Sequence, residues 1–420
     1  MAAGSNAALP VDLLDHDLFA DHEPWEVFDL LQREAPVYFH PEPGGRGFWA
    51  VTRYDDVLAV VRDAKTFSSE AGGAATIEDL PPDVLEARRN LLEYDPPVHG
   101  RYRRLMSTRF TPGAVGAYED WLRGLTGGLL DRVRSGEEFD FIHELAAPIP
   151  IRVLAHILGL PDEDLPHLIA LGDRLLVDTD PEYVGDLAFG EERPEDRYKP
   201  FGSPWADELC GIGRGYYADR RSCPREDVLT VIATGEIDGR RLDDRELDCM
   251  FALMIVAGNE TTRQGLALGT LALARHPDQY ARIRADPELI GSAMEEILRY
   301  ASPVWWFRRT ATCDTEIGGQ PIAAGDKIVV WFAAGNRDPD HYPDPHRFDV
   351  ARNPTDQLTF GRGGPHHCLG VHLARLEVRV FLEELVARVS EIELAGEPVR
   401  HRSNFTNGLK RLPVRFTLAS

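Results

Sequence analysis

Cys368 stands in the run Phe360-Gly-Arg-Gly-Gly-Pro-His-His-Cys-Leu-Gly370, directly ahead of a long amphipathic segment. A cysteine at the mouth of a helix is expected as a thiolate. The helix N-terminus carries partial positive charge and free N–H groups, and both favour the anion. Such a thiolate serves as a nucleophile or as a metal ligand. Gly363 and Gly364 let the backbone lie close against a flat ligand, and free amides aimed at the sulfur would tune a bound metal. Leu369, Leu373, Leu376 and Val380 recur at helical spacing and predict the buried face of the helix that follows, with Arg375 and Arg379 off that stripe. Other readings stand beside this one. His366, His367, Cys368 and His372 would offer zinc its ligand types, but zinc ligands usually come as two spaced doublets. A Cys-His hydrolase and a cysteine that only packs are the remaining alternatives.

Other constellations bear on the choice. His99 and Arg103 stand four apart, so they share a helix face and suit a pair of carboxylates; a solvated basic face is the plainer reading. Asp243 and Asp244 cap an apolar segment that runs to His276, where Pro277 stops it. At about 1.5 Å per residue that helix would span roughly 50 Å. Its middle reads Ala257-Gly258-Asn259-Glu260-Thr261-Thr262, poor choices for a buried helix interior. Threonine hydroxyls bond back to carbonyls and open the ladder locally, which suits a groove that holds dioxygen and water. Glu296 and Arg299 face each other at helical spacing, and Arg309 follows Pro303 by six residues. Gly211-Ile-Gly-Arg-Gly215 follows no strand and lacks the third spaced glycine of a dinucleotide loop.

Taken together, Phe360, Gly363, His366, Cys368 and Gly370, with the distant motifs, closely resemble the cytochrome P450 family. One spacing departs from its pattern: Phe360 lies eight residues before Cys368, where seven is usual. The likeness spans residues 12–414 and is strongest from Arg245 onward, and it is nearest to actinobacterial sterol and branched-lipid hydroxylases. It implies a mainly α fold with small β-sheets, a single large domain, and haem b between the central helix and the helix after the Cys loop. It implies Cys368 as the iron ligand, with Phe360, Ala257 and Gly370 against the haem and its propionates on His99, Arg103, Arg309 and His366. Glu260 and Thr261 become the acid–alcohol pair of dioxygen chemistry. Glu296 and Arg299 become two-thirds of a buried structural triad that Arg337 or Arg352 completes. Ala257, Gly258, Val304, Trp305 and Trp306 become pocket lining. The alternating geometry of an extended segment allows at most one of the two tryptophans to face inward.

The organisation expected from sequence is a disordered tail over residues 1–9 and one domain over 10–420. No Gly/Ser linker divides the 420 residues. Short strands are predicted near residues 47–52, 315–317 and 327–332. Residues 71–82 and 190–204 read as mobile substrate-entry lids. Five widely spaced cysteines do not make a disulfide framework, so reduced thiols and a cytoplasmic location are expected. Nothing reads as a signal peptide or membrane anchor. With 46 basic and 69 acidic residues the net charge is −23, which disfavours nucleic acid and anionic membranes as partners. Arg101, Arg103, Arg104 and Arg109 cluster and predict a local docking patch for an acidic ferredoxin, itself served by a ferredoxin reductase. The expected activity is monooxygenation with O2 of an apolar small molecule: a sterol, a branched lipid, or a terpenoid or aromatic natural product. A peroxide-using or non-oxygenating haem-thiolate enzyme, or a non-haem Cys/His metal protein, is the alternative.

Overall fold

The computed structural model describes residues 9–21, 23–185, 194 and 196–419. The expected tail falls almost wholly outside them, and so does part of the 190–204 segment. Helices dominate, and small sheets lie at the edges.

The central helix, Asp244–Arg275, organises the rest. Asp243 and Glu246 close a reciprocal capping box at its start: the Asp243 side chain accepts from the Glu246 amide, and Glu246 accepts from the Asp243 amide. The helix is buried along almost its whole length because neighbouring elements pack around it, save where its middle opens at Ala257, Gly258 and Thr261. Pro148–Leu158, Leu165–Leu176, Ile290–Ala301 and Val371–Arg388 all pack on it. Small residues set the closest approaches. A Cβ on Gly258 would meet Leu154 Cδ1 at 3.0 Å, and one on Gly269 would meet Ile297 Cγ2 at 2.6 Å.

The largest sheet has five strands in the order Val37–His40, Phe48–Val51, Lys327–Trp331, Trp306–Ala311, Phe67–Ser68. Two of its strands match the expected segments within a residue or two, and Thr315–Ile317 pairs with Gln320–Ile322 in a separate ribbon. Lys327–Trp331 runs parallel to Phe48–Val51 and antiparallel to Trp306–Ala311, so it lies fully buried between them. This sheet brings Phe307 and Arg309 to the cavity and so sets one wall of the site.

The 71–82 segment is irregular up to Pro81, and side chains from the sheet anchor it. Arg308 donates to the carbonyls of Ile77 and Glu78 at 3.0 and 2.7 Å and to Asp79 at 3.0 Å. Lys327, wholly buried, donates to Ile77 O at 3.0 Å and pairs with Glu42. Arg46 grips the Asp79 carboxylate from outside through Nε and Nη2, at 2.9 and 3.0 Å. The loop has no regular hydrogen bonding of its own because sheet side chains supply it.

Candidate active site

A cavity lies between the central helix and the Val371–Arg388 helix. Its lining includes Ala257, Gly258, Thr261, Val304, Phe307, Arg309, Phe360, His366, Cys368 and Gly370, with His99 and Arg103 at one rim. On the central helix the lining residues are 253, 254, 257, 258, 261, 262 and 265, which is one helical face. The Thr261 hydroxyl donates to Ala257 O at 2.9 Å, the back-bond expected of a threonine in this position.

The Cys loop is closed by its own backbone. Cys368 N–H donates to Phe360 O at 2.9 Å, and His367 N–H donates to Gly364 O at 3.1 Å. Gly363 has φ +84°, and a Cβ on Gly364 would meet Val61 O at 2.1 Å. These glycines therefore let the loop seat on the end of helix Tyr54–Arg62, a reason distinct from contact with a ligand. Phe360 carries the Arg375 guanidinium over its ring at 5.1 Å.

Cys368 lies two residues ahead of Gly370, the N-cap of Val371–Arg388, and not within the first helical turn. The expected thiolate is accordingly not a property of the protein alone. Burial pushes the thiol up from its ordinary value, against the Gly370 amide and the Arg103 and Arg375 charges. A cation against the sulfur is what would make the thiolate stable there.

The rim is rich in donors and poor in acceptors. Arg309 is 5% exposed, and its one side-chain hydrogen bond among the described residues goes to the neighbouring Arg308 carbonyl at 2.7 Å. Burial lowers it to about 10, opposed by the Asp95 charge. Burial also lowers His99 to about 4 and His366 to about 2, and Arg309 and Arg103 press on His366 in the same direction. The His99 and His366 rings lie 4.2 Å apart. Among the described residues no carboxylate forms an ion pair with Arg103 or Arg309. Two acid groups from a flat ligand would supply what this rim lacks, so the donor set fits a haem and its propionates.

Other expected site residues fall elsewhere. Glu260 faces away from the cavity into a buried cluster with Arg263, Gln264 and His401, while only its neighbour Thr261 opens inward. Trp305 and Trp306 do not line the cavity, which corrects the expectation for both. Val304 forms an isolated bridge with Thr406, and the strand proper begins only at Trp306. The break at 305 resets the alternation, and both indoles turn into an aromatic cluster. Trp305 packs on Phe19, Trp25 and Phe28, and Trp306 on Trp331 and Phe405. Phe307 takes the wall position instead.

Glu296 and Arg299 are fully buried and joined bidentately at 2.7 and 2.8 Å. Arg352 is the third member, with Nε 3.3 Å from Glu296 Oε1. Arg337 instead stacks on Trp25 and Tyr300. Arg299 also donates to the carbonyls of Asn336 and Pro345, pinning the irregular chain ahead of the Cys loop.

Two buried carboxyl sites escape sequence reasoning. Asp173, on helix Leu165–Leu176, binds Arg263 at 2.6 and 3.2 Å. Glu377 lies on the cavity wall, 1% exposed, with Oε2 unpartnered. An acidic residue inside an otherwise apolar helical stripe was the available signal for both.

Known proteins give the same reading. The Cytochrome P450 family model matches residues 218–409. A linalool 8-monooxygenase of Pseudomonas putida is 38% identical over 410 residues, 96% of this chain and 98% of that one. A methyl-branched lipid omega-hydroxylase of Mycobacterium tuberculosis is 37% identical over 408 residues, 93% of this chain and 90% of that one. A Mycobacterium marinum cytochrome P450 solved with pseudoionone superposes with a TM-score of 0.89 at 36% identity, covering 99% of this chain and 100% of that one. Likeness over whole chains, joined to a cysteine that opens into a cavity with an unpaired cationic rim, places this protein in the cytochrome P450 family, as a monooxygenase.

Proposed function

We propose that this enzyme hydroxylates a branched, apolar isoprenoid or lipid, with Cys368 as the axial ligand of haem b. The carrying observation is the rim: two guanidiniums and two imidazoles gathered with no carboxylate ion-paired to either guanidinium among the described residues, beside a cysteine that opens into the cavity. A dianionic flat ligand with a metal at its centre answers both needs at once. Cys368 is the only cysteine among the lining residues, which supports a haem held without thioether bonds. When bound, haem iron with a thiolate ligand supplies dioxygen activation and hydroxyl transfer.

The chain's own residues set the conditions for that chemistry. His99, Arg103, Arg309 and His366 orient the cofactor through its acid groups. The Thr261 hydroxyl lies on the cavity face, where it would hold a water and hand on a proton within the chamber. Glu260 lies behind it, one residue back, and rotation about its side-chain torsions carries a proton round the helix to that hydroxyl. Leu154, Leu253, Met254, Val304 and Phe307 make the distal wall hydrocarbon, so they exclude water and offer no partner to a charged head group. Relatives that act on linalool and on methyl-branched lipids support a branched substrate, as does the pseudoionone bound to the M. marinum enzyme. Electrons would come from a ferredoxin and its reductase, docking near the exposed Arg104.

Titration of the purified protein with linalool, pseudoionone and a sterol tests the substrate class. A high-spin shift of the haem spectrum is expected with the two acyclic isoprenoids, and a response to the sterol alone would contradict it. Cys368→Ser should abolish the thiolate form of the reduced-CO spectrum; persistence of that spectrum would remove Cys368 as ligand.

A further inference from the structure

The face of the central helix turned away from the cavity carries a closed polar cluster. Glu260 pairs with Arg263 and accepts from Gln264 Nε2 at 2.8 Å. Arg263 is held from its far side by Asp173. Gln264 is fixed in turn by the Leu409 backbone, accepting its N–H at 2.7 Å and donating to its carbonyl at 3.1 Å. His401, 1% exposed, brings Nε2 to 3.7 Å from Glu260 Oε1. The same nitrogen lies 3.3 Å from the hydroxyl of Tyr183, which is only half-buried. The chain makes room for this arrangement: a Cβ on Gly408 would meet His401 Nδ1 at 2.7 Å and Gln264 Cδ at 2.7 Å.

Resting on the monooxygenase reading above, we infer that Tyr183 and His401 form the inlet through which solvent protons reach Glu260. The step balances. The Tyr183 proton passes to His401 Nε2 while the phenol oxygen takes one from water, and the imidazolium then gives its Nε2 proton to the Glu260 carboxylate. One proton leaves solvent and one arrives at Glu260, with both relay groups restored.

The surroundings suit a transient carrier. Arg263 faces the ring from the central helix, and Arg400 and Lys410 face it from the short ladder of Val399–Arg400 with Leu409–Arg411. Arg400 is answered by Glu23, Lys410 by Asp180 and Glu182, and Arg263 by Asp173 and Glu260. Burial, then these cations, hold the imidazole well below its ordinary pKa. It therefore rests neutral; in the tautomer protonated at Nδ1, Nε2 can accept, and the ring gives up a gained proton readily. A direct Arg263–Glu260 pair alone would offer no such route, since a guanidinium does not release its proton.

The test uses His401→Gln and Tyr183→Phe in the haem-loaded enzyme, with linalool as probe and ferredoxin-driven turnover. Both variants should keep KM and the thiolate reduced-CO spectrum, lose about tenfold or more in kcat for His401→Gln and less for Tyr183→Phe, and show a larger solvent deuterium isotope effect. In the reduced, CO-bound protein, ring 15N spectra should show a neutral His401 whose Nε2 signal moves in Tyr183→Phe. Unchanged kcat and isotope effect in both variants, or a His401 signal indifferent to Tyr183, would overturn the inlet and leave the haem-thiolate reading intact. Lack of a thiolate reduced-CO spectrum in the unaltered protein would overturn both.

Discussion

Glu377 is a buried carboxyl group with no ion pair among the described residues. Burial alone raises it well above the ordinary carboxylate value, so the folded protein keeps its proton where the unfolded chain has lost it. The sign follows from that difference. Stability falls as pH rises from the unfolded value toward the folded one, by up to about 1.4 kcal/mol per pH unit. Glu377→Gln removes the titration while keeping the shape. Its unfolding midpoint should match the parent near pH 4 and exceed it increasingly toward neutrality; parallel pH profiles would refute the buried, protonated state. Cys368, Thr261, Arg309 and the His99–Arg103 pair, which the family resemblance picked out through short motifs, do line the cavity. The Glu260 cluster was not legible in the sequence. Asp173 and Arg263 lie 90 residues apart, and no local period announces their meeting.

At the scale of elements, the strand Trp306–Ala311 shows both the reach and the limit of pattern reading. Alternation places Phe307 and Arg309 on the cavity side and sends Trp306 and Arg308 to the other, as period-two geometry requires. The break at 305 carries no composition signal, and it turned an expected tryptophan wall into core. The anchors of the 71–82 loop escaped the sequence for a similar reason. Its glycines and acidic residues look mobile locally, while its anchors Arg308 and Lys327 come from more than 200 residues away. Asp79 is the keystone of that anchor. Its carboxyl lies well below the ordinary range, first through Arg46 and then through Lys327 and Arg308. A depressed value stabilises the loop above the ordinary carboxylate pKa and fails as pH falls through it. Asp79→Asn should therefore speed amide hydrogen exchange across residues 72–80 at neutral pH and leave the central helix protected. Unchanged exchange in that loop would mean the backbone contacts suffice.

For the whole molecule, the net charge of −23 repels an acidic redox partner at long range, so docking must rely on local cations. The four-arginine patch expected from sequence thins on folding. Arg101 pairs with Asp238, and Arg103 points into the cavity. Arg104 stays exposed, with no ion pair among the described residues. Arg104→Glu should slow reduction by ferredoxin about tenfold at low ionic strength, with the gap closing as salt is added. Reduction by dithionite should be unaffected, and an unchanged ferredoxin rate would place the docking site elsewhere. No helix among the described residues is long and apolar enough to cross a membrane.

The central helix divides its labour between two sides, and evolution inherits that division. Substitutions at 253, 254, 257 or 258 can reshape what fits in the chamber without disturbing Arg263, Gln264 or Asp173 on the far side. A lineage can thus exchange one hydrocarbon diet for another while its proton supply stays as it was.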